Sequence, residues 1–126
     1  MDVVVTVPKA LWSDWIEEGD AAPGIGSADW EGLYEYGFNL YGPVPNIQPG
    51  DRVYIVAHGR VRGYAPLVSL ERGSTRFGGR GYGFALVRRG LAVAVTIDAP
   101  VRGFQGWRYR WWQRADERPF PNWKTA

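Results

Sequence analysis

Six arginines, Arg76, Arg80, Arg88, Arg89, Arg108 and Arg110, stand out in the second half of this chain, all but Arg88 directly beside a glycine or an aromatic residue. A guanidinium can make two parallel hydrogen bonds to a phosphate and can stack on the face of a base. That chemistry is suited to binding a polyanion rather than to breaking a bond. Arg76 and Arg80 lie in the stretch from Arg72 to Gly83, which holds five glycines and three arginines and reads as an exposed loop able to follow a phosphate backbone. Arg108 and Arg110 alternate with Trp107, Tyr109 and Trp111. Period two predicts a strand with an aromatic core face and a face carrying the two guanidiniums beside Trp112.

The charge is unevenly distributed along the chain. Residues 1–50 contain one basic and eight acidic residues, whereas residues 51–126 contain fourteen basic and five acidic. If that division survives folding, one face attracts a polyanion; if the two halves interleave in a barrel, the charges mix. Other chemistry is poorly provided for. There is no cysteine, which removes disulfides, thiol catalysis and zinc-thiolate sites, and the single histidine argues against a transition-metal site. No cofactor is expected. His58, directly before Gly59, reads as a turn residue before it reads as a proton carrier.

The length of 126 residues and 45% hydrophobic content fit one domain with a real core. No apolar run nears the roughly 20 residues that span a bilayer, and Met1-Asp2-Val3 is unlike a signal peptide, so the expectation is a soluble, cytoplasmic protein. Val3–Val7 is β-branched and predicts a strand; Leu11, Trp12, Trp15 and Ile16 recur at helical spacing, predicting a short helix from Lys9 to Glu18 before Gly19. Residues 20–29 read as a loop. Pro49-Gly50-Asp51 opens a turn, Val53–Ala57 and Val61–Val68 are strands, and Gly59 supplies the positive φ of a tight hairpin. Phe84–Val87 and Leu91–Ile97 predict a second hairpin around Arg88-Arg89-Gly90. The tail Pro119-Phe120-Pro121-Asn122-Trp123 is irregular, with aromatics that pack back on the domain.

The order Gly50-Asp51, hydrophobic strand, polar turn, then Val61-Arg62-Gly63-Tyr64-Ala65 resembles the signature hairpin of PUA-like barrels, a superfamily that includes the ASCH, EVE and YTH domains. Trp30-Glu31-Gly32-Leu33 through Tyr36 is similar to the tryptophan, acidic, glycine, aliphatic pattern of EVE domains. Two departures stand out. Tyr34-Glu35 occupies the place where EVE domains often carry Arg-Asn, and the Gly-x-Lys-x-x-Glu-x-Arg motif of ASCH domains is missing after Gly19.

The resemblance implies a mostly β (α+β) PUA-like pseudo-barrel of five to six strands with a short N-terminal helix, spanning residues 1–126 as a single domain. It also implies a cleft between the helix region and the barrel that receives a base of RNA or DNA. By matching position, Trp30 and Tyr36 form the stacking wall and Asn39 is an amide that can read a base edge. Trp30 is open between pocket and core. Trp107, Trp111 and Trp123 read as core first. Asp20 and Glu31 offer carboxylates to a base amine or are solvated surface groups. The basic residues after Arg52 are expected to adjoin the cleft.

These readings favour a nucleic-acid-binding module that accommodates an unpaired or modified base. An ASCH-like hydrolase acting on a modified nucleoside is the alternative, although the lysine and glutamate of that motif have no counterparts here. A protein-interaction barrel with exposed aromatics is the third reading.

Overall fold

The computed structural model describes residues 1–17, 35–73, 83–89 and 92–125, with residues 17, 35, 36 and 89 described by their backbone alone. The strands are β1 (Val3–Thr6), β2 (Glu35–Leu40), β3 (Arg52–Ala57), β4 (Arg60–Arg72), β5 (Phe84–Arg89), β6 (Val95–Thr96), β7 (Trp107–Tyr109) and β8 (Arg118–Pro119). A helix, α1 (Trp12–Glu17), follows a single 3-10 turn over Lys9–Leu11. Six strands form one curled sheet in the order β2-β5-β4-β3-β1-β7, a half-barrel, while β6 and β8 make a separate two-stranded ribbon.

The β3–β4 hairpin forms where the turn chemistry places it. His58 (φ 49°) and Gly59 (φ 79°) both adopt positive φ, the conformation of a two-residue turn whose twist matches its strands. At the other end, Gly50 N–H donates to Leu67 (2.9 Å) and Leu67 N–H to Asp51 (2.8 Å). The ladder slips between Ile55 and Val56: Ile55 opposes Gly63 and Val56 opposes Val61, which leaves Arg62 as the extra residue of a bulge. The bulge turns the Arg62 side chain inward among the aromatics of the helix and tail.

β1 joins β3 in parallel and β7 in antiparallel register, and both faces of this central sheet are buried. Val3, Val5, Val53 and Ile55 pack on the inner side with Trp12, Trp15 and Trp123; Val4, Tyr54, Val56 and Val61 pack on the outer side with Ile97, Val101 and Trp112. A strand covered on both faces needs apolar residues at every position, hence the unbroken runs Val3-Val4-Val5 and Val53-Tyr54-Ile55-Val56.

Three expectations need correction. Over its described part, 92–97, the expected return strand Leu91–Ile97 does not pair with the strand before it: β5 lies between β4 and β2, Val93 forms only an isolated bridge to Tyr64, and β6 pairs with β8. The period-two stretch from 106 to 112 is a strand only over Trp107–Tyr109, because Arg110 and the residues after it turn away to cover the outer face. Trp111 is half-exposed rather than core, in contrast to Trp123, which is buried as expected. The predicted loop over 20–29 lies outside the described residues, as does most of the glycine-rich stretch, whose ends meet where Gly73 N–H donates to Gly83 (2.8 Å).

Two buried carboxylates fasten the outer layer. Asp2 accepts from the Arg52 amide (2.8 Å), Arg110 Nε (3.1 Å) and Arg114 Nη2 (2.9 Å). Burial alone would raise its pKa, but these hydrogen bonds prevail and hold the carboxyl below the ordinary aspartate range. Glu117 accepts from Tyr54 (2.6 Å), Trp112 Nε1 (2.9 Å) and Arg52 (3.1 Å), joining the end of the 3-10 turn Arg114–Asp116 to β3.

Candidate functional site

The half-barrel leaves a gap between its end strand β2 and the loop that enters β7. A cleft of about 470 Å³ occupies it. Val5 and Thr6 at the end of β1 line it together with Phe38 from β2 and Phe104 from the opposing loop. Asn39 and Gln105 stand on either side of it, both exposed, and Leu11 of the 3-10 turn contributes a half-exposed apolar edge. A shallower depression next to it shares Asn39 and Gln105 and adds Tyr41.

The loop is held at this distance by small residues. Phe104 N–H donates to Thr6 Oγ1 (3.1 Å), and a Cβ on Gly103 would stand 3.1 Å from Thr6 Cγ2, tighter than most side chains tolerate. Gly106 then turns at φ 74° into β7. On the far side of β7, Trp107 Nε1 donates to Pro43 (2.7 Å) and Tyr109 Oη accepts from Asn46 N–H (2.9 Å), which binds the β2–β3 connection against the same strand.

Among the described residues, no charged side chain lines the cleft. Its described lining comprises Phe38, Phe104 and aliphatic groups, and its polar side chains are the Thr6 hydroxyl and the Asn39 and Gln105 amides, which carry both donors and acceptors. Such a site favours a flat, neutral ligand with a hydrogen-bonding edge and disfavours a buried phosphate. The positive charge sits outside: the Arg108 guanidinium lies 4.3 Å from the centre of the Phe104 ring, on an exposed side chain.

The structure separates the arginines singled out in the sequence. Arg88 is buried, with its guanidinium 4.4 Å from the Trp15 ring and 5.7 Å from that of Phe38, so its charge belongs to the core. Arg110 is tied to Asp2 and to the Trp112 carbonyl. Of Arg108 and Arg110, Arg108 alone is fully presented to solvent beside the cleft. Arg76, Arg80, Asp20, Glu31 and Trp30 lie outside the described residues. Tyr36 holds the β2 position opposite Arg88, two residues from Phe38, with its side chain outside the description. Asn39 is at the cleft.

Phe104, Gln105 and Leu11 were not singled out from the sequence as site residues. The usable signal was Gly103-Phe104-Gln105-Gly106, an aromatic and an amide between two glycines. His58, at the hairpin tip, is remote from this chemistry: its ring meets Trp12 edge-on at 5.6 Å, and burial, with Arg62 and Lys9 nearby, pushes its pKa down. Among the described residues no three histidine or carboxylate groups gather as metal ligands, and no helix is long and apolar enough to cross a membrane.

Comparison with known proteins finds no matching family model, no matching curated protein and no matching solved structure.

Proposed function

We propose that this chain is a PUA-like, EVE- or ASCH-type module that binds RNA or DNA by taking an unpaired or modified base into the cleft between β2 and the 104–106 loop. The observation that carries the reading is the character of that cleft: no charged side chain in its described lining, Phe38 and Phe104 on its walls, the amides of Asn39 and Gln105 flanking it, and Arg108 outside. Its volume of about 470 Å³ is that of a small-molecule site. Aromatic walls offer stacking to a base, the amides offer donors and acceptors to its edge, and the external guanidinium offers charge to the phosphate. Binding is favoured over hydrolysis because the described lining carries no carboxylate, lysine or histidine, and its one hydroxyl, Thr6, already accepts from Phe104.

Titration of the protein with unmodified and methylated nucleosides, read by calorimetry, tests this. At least one base should bind, and Gln105→Ala, at an exposed position that leaves the fold intact, should weaken it by about 1–3 kcal/mol. Absence of binding by any nucleoside or short oligonucleotide, or an unaltered affinity in the variant, refutes the reading.

A further inference from the structure

Phe104 has a second neighbourhood besides the cleft. We propose that Phe104, Arg108 and Trp111 form a platform that carries the nucleotide adjoining the one in the cleft, so that the partner is a single-stranded polynucleotide and not a free nucleoside. The proposal rests on the cleft being a base site.

The three side chains lie on one side of the sheet. Arg108 pairs in register with Val4, whose side chain belongs to the outer cluster, and Phe104 packs against that same cluster. The Phe104 and Trp111 rings stand 6.4 Å apart at an interplanar angle of 64°, with the Arg108 guanidinium over Phe104. Trp112 supports Trp111 from behind, edge to face at 5.0 Å. Trp111 is nevertheless 51% exposed, while Trp12, Trp15, Trp112 and Trp123 are buried. An indole held by a neighbour yet left open to solvent adds little to packing and is placed to stack on something else.

Charge identifies what that is. Arg52, Arg110, Arg114 and Arg118 are each matched by a carboxylate, whereas Arg108 and the exposed Arg102, two residues before Phe104, make no ion pair among the described residues. The Arg108 guanidinium, unmatched by a carboxylate and lying over Phe104 beside the exposed Trp111, is complementary to a chain of phosphates and bases. An apolar protein surface would leave both charges without partners. Because stacking on such a platform uses a π-face that every base has, it is indifferent to sequence, and discrimination is left to the cleft.

The test compares wild-type protein, Trp111→Ala and Arg108→Ala against two sets of probes. One is the set of nucleosides, unmodified and methylated; the other is a random-sequence eight-nucleotide single-stranded RNA or DNA, titrated at several salt concentrations. The octamer should bind more tightly than any unmodified nucleoside, and Trp111→Ala should lower octamer affinity by about 5- to 150-fold without changing nucleoside affinity. Trp111→Tyr should restore part of the loss. Arg108→Ala should reduce the salt exponent of octamer binding by about 0.7, the share of one single-strand phosphate contact. Octamer binding unchanged in Trp111→Ala overturns the platform and leaves the cleft reading standing. Wild-type protein that binds neither probe set overturns both. Loss of self-association in Trp111→Ala, with octamer binding intact, makes the surface a protein interface and overturns the proposal.

Discussion

Arg108 and Arg110 are two residues apart, chemically identical, and assigned different work by the structure. Replacing each with alanine should therefore give opposite results. Arg110 is 22% exposed and donates to Asp2, whose side chain is 4% exposed. Breaking a fully buried ion pair costs about 3–5 kcal/mol, but Asp2 keeps Arg114 and the Arg52 amide, so the loss should approach that of one charge-assisted hydrogen bond, about 1–3 kcal/mol. For a domain of this size that lowers the melting temperature by about 4–15 °C. Arg108→Ala removes an exposed side chain and should alter stability by less than about 0.5 kcal/mol. Urea denaturation of both variants, with octamer titration of the folded proteins, separates the two. The reasoning fails if Arg110→Ala unfolds like wild type, or if it weakens octamer binding as much as Arg108→Ala does while remaining folded.

Glu117→Ala leaves the Tyr54 hydroxyl and the Trp112 indole N–H, both buried, without their acceptor, and should destabilise by about 2–5 kcal/mol in urea denaturation. Glu117→Gln keeps one carbonyl acceptor and should recover part of that; equal losses in the two variants would count against the network. Asp2 makes stability pH-dependent in a definite direction: its folded pKa lies below its unfolded one, so its contribution is complete above the unfolded value and disappears as pH falls through the folded one. The urea midpoint should thus be insensitive to this group from about pH 5 to 7 and drop below about pH 4. Parallel acid limbs in wild type and Asp2→Asn would refute the assignment.

Local chemistry was readable in the sequence, and long-range closure was not. The β3–β4 hairpin followed from Pro49-Gly50-Asp51 and His58-Gly59 because turn conformation is decided by the few residues in the turn. Val3–Thr6 and the helix at Trp12 followed from β-branching and helical spacing. The pairing of β5 with β2 was hidden because a short apolar strand states its own conformation but not its partner. Leu91–Ile97 looks like a return strand, yet Tyr64 and β8 take its hydrogen bonds. Arg110 looked like a free cation because its partner is 108 residues away. The cleft was hidden for the same reason, being lined by Phe38 and Phe104, which come to border one gap only when the sheet curls.

Arg62 gives this domain a particular order of assembly. The bulged guanidinium donates to the carbonyls of Ala57 and His58 beside it in the hairpin and of Trp123 and Thr125 in the tail, flanked by Trp12 and Phe120. The hairpin can supply the first two acceptors as soon as it forms; the tail must supply the others from about sixty positions further on, while the Trp12 indole waits for Lys124 across 112. Closure of such separated contacts is slow, and until it happens Arg62 remains hydrated and the inner cluster lacks Trp123. During synthesis the hairpin can therefore form early, but it stays an open half of a core until the tail emerges and docks.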